Sequence, residues 1–148
     1  MKGKKTRARN TALLRLYTIR LRLAAILNIL EVINVVSSMM DVSELRHRKL
    51  KRRANLTGLL YALTVRCIRL IDEMSLHAGA IENRGWLPAS KCPGMLETLS
   101  AKKRELGQAQ AFLEQRSLCD ALKKLSSANV GLDALARQMD EELEAKLR

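Results

Sequence analysis

Six apolar residues, Leu16, Ile19, Leu23, Ile26, Leu30 and Ile33, recur at alternating steps of three and four. That spacing keeps one side of an α-helix continuously apolar and is the a/d rhythm of helices packed on helices. Strands alternate with a period of two, so this stretch can bury its apolar set only as a helix. The flanks are apolar as well, at Leu27, Ile29, Val32, Val35 and Val36, leaving a narrow polar strip of Arg20, Asn28, Glu31, Asn34 and Ser38. A helix so apolar belongs at the centre of a bundle or against another chain. The expectation is that the six seam residues form an oligomer or partner interface.

The rest of the chain repeats the helical pattern. A second line runs Leu56, Leu60, Leu63, Cys67, Leu70, Met74, His77, Ile81. It is out of phase with the first, which argues for a separate helix or a phase slip near Asp41. Asp41 with Glu44 forms a capping-box pattern for its start. Residues 83–94 (NRGWLPASKCPG) hold both prolines and the only tryptophan, and read as the one clear inter-element loop. Pro93 suits the first position of the helix that follows. Beyond it Leu99, Leu106 and Leu113 recur every seven residues, then Leu118, Leu122 and Leu125. The segment 126–131 (SSANVG) reads as a helix end, followed by a last amphipathic stretch with Leu132, Leu135, Met139, Leu143 and Leu147. With 27 leucines and only 3% aromatics, the composition argues against an aromatic-rich β-sandwich or barrel. The predicted fold is all-α, an elongated bundle or coiled coil of about four helices, oligomeric. A basic disordered arm (roughly 1–10) leads a helical domain (roughly 11–148) with helices near 11–39, 41–82, 94–128 and 131–147 and a loop at 83–93.

Charge is segregated along this scaffold. Residues 1–53 carry 14 Lys+Arg and 3 acids, whereas residues 54–148 carry 13 and 12. Two clusters hold most of the excess: Lys2, Lys4, Lys5, Arg7 and Arg9 in the arm, and Arg46, Arg48, Lys49, Lys51, Arg52 and Arg53. Projecting the second apolar line backward puts Lys49 and Arg52 at seam positions, where burial without partners would cost on the order of several kcal/mol each. A bland reading is a solvated helix end. The functional reading is an anion-binding surface, because cations at helical spacing meet successive phosphates and release counterions. Aromatic stacking platforms are nearly lacking, with Tyr17 alone in the basic half, which disfavours single strands. If the first two helices formed a tight hairpin, Arg46–Arg53 would fall beside roughly residues 26–33, a conflict that points again to a second subunit.

The basic run followed by Leu56, Leu63 and Leu70 is similar to the layout of basic-zipper proteins. It departs from that pattern at His77 and has no base-reading Asn-and-Arg signature upstream, so no sequence-specific role is carried over. Catalytic patterns are equally sparse. Glu44 and His47 have the spacing of a di-iron ligand pair, but the second such pair and two further carboxylates are missing. Cys67, Cys92 and Cys119 are too far apart for a zinc site or a closed disulfide set, and favour an intracellular, reducing compartment, nucleus or cytoplasm. Cys67 and Cys119 read as core packing and His77 as a satisfied core or interface histidine. The run Leu23–Val36 is short for a span and contains Glu31, which argues against a membrane. These residues predict a non-enzymatic protein without cofactor or metal, gripping duplex or structured DNA or RNA through its backbone. The rival expectation is a coiled-coil adaptor subunit whose basic segment meets an acidic protein.

Overall fold

The seam of residues 16–33 lies within one long helix, α1 (Lys2–Met39), in the computed structural model, which describes residues 2–39, 50–84 and 94–147. Three more helices follow among the described residues: α2 (Leu50–Arg84), α3 (Met95–Glu114) and α4 (Leu118–Leu147). No strand occurs among them, and the fold is an all-helical bundle. At 38 residues α1 is about 57 Å long. The helix includes residues 2–10, in place of the expected disordered arm. Ala12 is fully buried, so packing immediately downstream supports turns that charge alone would not nucleate.

Each helix packs on two others, α1 on α2 and α4, and α3 on α2 and α4. Arg15 meets His77 while Arg22 meets Glu73, so α1 and α2 run antiparallel. Tyr61 meets Gln110 and Glu114 while Asp72 meets Lys103, which sets α3 antiparallel to α2. The chain thus goes up, down, up and down around a ring, with neighbours in sequence adjacent in space.

All six seam residues, Leu16, Ile19, Leu23, Ile26, Leu30 and Ile33, are at most 2% exposed within this single chain. They line the bundle's own core and are not a surface that a partner would meet, which corrects the expectation drawn from them. The seam has the expected period and phase, but the helices that cover it are α2 and α4 of the same chain. On α2 the buried line is Leu60, Thr64, Cys67, Ile71, Met74, Ala78 and Ile81. The expected line shares Leu60, Cys67, Met74 and Ile81, whereas Leu63, Leu70 and His77 stand half-buried beside it. Thr64 tolerates burial because its Oγ1 donates to the Leu60 carbonyl at 2.7 Å. The conflict foreseen for a hairpin does not arise, because the antiparallel register sets residues 26–33 against the apolar Leu60–Cys67 stretch.

The break between the last two helices lies at residues 115–117, not at 126–131. Arg116 adopts φ 60°, its N–H donates to Leu113 O at 3.1 Å, and Ser117 N–H donates to Phe112 O at 2.8 Å. This is a Schellman stop with arginine where glycine is usual. Ser117 precedes α4, its Oγ donating to Asp120 Oδ2 at 2.5 Å and its carbonyl accepting from the Ala121 N–H at 3.1 Å. Residues 126–131 continue α4, burying Ala128, and Gly131 lets the Lys102 side chain cross, since a Cβ there would collide with Lys102 Cε. A left-handed non-glycine residue costs about 1–2 kcal/mol, and its replacement by glycine recovers that strain, partly offset by glycine's greater freedom when unfolded. Arg116→Gly should therefore raise stability by about 0.5–1 kcal/mol, read as a higher urea midpoint at unchanged slope. A lowered midpoint would contradict this account of the stop.

Candidate nucleic-acid interface

The described members of the two basic clusters lie at opposite ends of the bundle. Lys2, Lys4, Lys5, Arg7 and Arg9 occupy the first turns of α1, and Lys51, Arg52 and Arg53 the first turn of α2. Because α1 and α2 are antiparallel, these starts are separated by about the length of α1 from Lys5 to Met39, roughly 50 Å. Arg46, Arg48 and Lys49 lie outside the described residues, as do the Asp41 helix start, the Glu44–His47 pair, Cys92, Pro93 and most of the 83–93 loop. One continuous basic face, implicit in treating the N-terminal half as a unit, is not what the helices build.

Counted along the sequence, part of each cluster falls in register with the seam of its helix. Counted back from Ala12 by the same alternating intervals, the α1 seam meets Arg9, Lys5 and Lys2. Counted back from Leu60, the α2 seam meets Thr57 and then Arg53, in place of the Lys49 and Arg52 expected. Paired antiparallel from Arg15 and His77, the last residue of α2, Arg84, comes level with Ala8. Lys2–Arg7 therefore overhang the described end of α2. At the other end, Tyr61 faces Glu114, the last residue of α3, so Lys51–Arg53 overhang α3 by more than two turns. An unpaired cation is costly to bury, and in the sequence the apolar seam of α1 gives way to Arg9 and that of α2 to Arg53.

Along the body of the bundle several cations are paired with acids. Arg20 donates to Asp140 from Nε at 2.7 Å and from Nη2 at 3.1 Å, joining α1 to α4. Hydrogen bonding to that guanidinium holds the Asp140 carboxyl below the ordinary range, and the same bond raises Arg20. The contribution is present above the unfolded carboxyl's value of 3.8 and is lost as pH falls through the lowered folded value; in this exposed pair it is worth under about 1 kcal/mol. Arg22 pairs with Glu73, Lys103 with Asp72, Lys102 with Glu105 and Arg137 with Asp133. Arg15 Nη1 donates to His77 Nδ1 at 3.2 Å, which requires that nitrogen to be unprotonated. In contrast, the first acid in the chain is Glu31, and none lies between Glu44 and Asp72. Within α1 and α2, the cluster residues thus have no acid within one helical turn. Neither helix has an acid in its first turn, so the cations add to the positive end of the dipole.

Cys67 is buried in the core, where desolvation pushes its thiol up to about 12 against a smaller opposing pull from Arg66. Cys119, expected in the core, is exposed. In a Cys92→Ser background at neutral pH, iodoacetamide should label Cys119 rapidly. Cys67, with roughly a thousandfold less thiolate for a shift of that size and no access, should react only on unfolding. Equal labelling in native buffer would contradict the burial. Among the described residues no three His, Cys, Asp or Glu side chains gather as a metal site. No described helix is long and apolar enough to cross a membrane. No protein-family model matches this chain, and neither a curated protein nor a solved structure matches it.

Proposed function

We propose that this is a non-enzymatic helical protein that grips the phosphate backbone of duplex or structured nucleic acid with its two cationic ends. The observation that carries the reading is the placement of two cationic runs, Lys2–Arg9 and Lys51–Arg53, at helix starts with no acid within a helical turn along the chain, while several body cations are ion-paired between helices. Such clusters oppose the helix dipole and repel themselves, and a phosphate relieves both costs. Backbone contacts with little base readout follow from the near lack of stacking aromatics. The spacing of the ends, roughly 50 Å, corresponds to about 15 base pairs at roughly 3.4 Å each.

Competition by unlabelled duplex, followed across salt, tests this. Affinity should fall steeply with salt, as backbone binding requires. No duplex binding at about 50 mM salt would end the proposal. A second reading, an adaptor subunit whose basic segment meets an acidic protein, is supported by the apolar side chains that α1 leaves exposed.

A further inference from the structure

The two cationic runs leave the bundle in opposite directions. α1 and α2 are antiparallel neighbours, so residues 2–9 start at one end and residues 51–53 at the other. A single duplex that meets both must lie along the roughly 50 Å of α1 and α2 between them. Duplex is stiff over that distance, with a persistence length of about 150 base pairs, so it does not bow around what it meets. The surface between the runs therefore decides whether one duplex or two can be held.

That surface is poor in available cations. From Asn10 to Val35, about 38 Å of helix, α1 carries three, and each is engaged by a neighbouring helix. Arg15 meets His77, Arg20 meets Asp140 and Arg22 meets Glu73. Leu14, Tyr17, Leu21, Val32 and Val35 stand exposed along the same stretch. Among the described residues between the runs, the exposed charges of α1 and α2 are two cations, Arg66 and Arg69, and three acids, Glu31, Asp72 and Glu73. On the side of α1 toward α4, Asp133 and Asp140 are exposed, and both act on Arg20. A polyanion with one charge per about 1.7 Å of its axis would trade counterions for apolar side chains and acids on this track. At each end, by contrast, the run projects past a neighbouring helix, residues 2–7 past α2 and residues 51–53 past α3.

We infer that each end takes a duplex segment of its own, so that one molecule joins two segments across the length of the bundle. The inference rests on the nucleic-acid reading and goes beyond it: the helical body is a spacer, and the activity is bridging. Once one end is held, the other meets a second tethered segment at raised effective concentration. Where both segments belong to one long or folded nucleic acid, the two ends act together on its affinity and salt slope. On isolated short duplexes they act separately.

A co-capture assay with the full chain at about 50 mM salt tests this. Immobilised and fluorescent duplexes of about 20 base pairs, roughly 68 Å long, are each long enough for one duplex to reach both ends. Protein bound to the immobilised duplex should recruit the fluorescent one. Glutamine at all five cations of residues 2–9, or at all six of residues 46–53, should leave a protein that still binds the immobilised duplex. Either change should cut recruitment at least about tenfold, because one end is left. Were an oligomer of single-ended chains the bridge, either variant would still recruit. Wild-type binding without recruitment, undiminished recruitment by either variant, or complete loss of immobilised binding in either would each overturn the inference. The first of these leaves the nucleic-acid reading standing, whereas failure of the wild type to bind any duplex ends both.

Discussion

Replacing Leu23 with alanine is expected to destabilise the protein by about 3–4 kcal/mol, a large share of the roughly 5–15 kcal/mol that holds a domain together. Leu23 is fully buried at the middle of the α1 seam, and its removal leaves a cavity that flanking Ile19 and Ile26, themselves fully buried, cannot fill without leaving their own contacts. Leu21 stands two residues away on the outer face at 55% exposure, so Leu21→Ala should cost under about 0.5 kcal/mol. Urea unfolding of both variants measures the difference directly. The result also decides what the seam is. Buried within one chain, it predicts a Leu23→Ala deficit that stays constant across a hundredfold range of protein concentration, roughly the span needed to see mass action. A deficit below about 1 kcal/mol, or one that grows on dilution, would assign the seam to a subunit contact instead.

The contrast between Leu21 and Leu23 also shows what the residues alone could convey. Period and phase were legible: the seam at Leu16–Ile33, the heptad line Leu99, Leu106, Leu113 and the final line from Leu132 to Leu143 are all buried as their spacing requires. Which partner covers a seam is not encoded in its period, because an intrachain helix and a second subunit ask for the same residues. On α2 the apolar face is wide enough for two adjacent lines, and hydrophobicity favoured Leu63 and Leu70 over Thr64 and Ala78. Packing chose the smaller residues, with Thr64 satisfied on its own helix. The stop at Arg116 was hidden because it uses no glycine, although Ser117 and Asp120 carry a capping pattern that was available to read. Gly131 misled for the opposite reason: it serves a side-chain crossing from α3, a contact between residues distant in the chain.

The basic clusters were equally plain in the sequence, but their placement was not, since two runs in one N-terminal half imply one surface until the helices are known to be antiparallel. That placement sharpens what neutralisation should do. Changing Arg46, Arg48, Lys49, Lys51, Arg52 and Arg53 to glutamine removes the charge of the second cluster. If all six meet phosphates, the slope of log affinity against log salt should flatten by about 5, and affinity near 0.1 M salt should drop at least about a hundredfold. The same change at Lys2, Lys4, Lys5, Arg7 and Arg9 should flatten it by about 4, at the other end. Arg66 and Arg104, exposed on the body, supply the control: glutamine at both should leave slope and affinity nearly unchanged. Loss of folding is a poor explanation for any deficit, because removing cations from a helix N-terminus is favourable by roughly a few tenths of a kcal/mol. If the two ends act on one duplex, shortening it below about 15 base pairs should weaken the wild type far more than either end variant, each of which already binds through one end. Equal losses from the body pair and the end clusters would mean that overall charge, not its placement at the two helix starts, holds the nucleic acid.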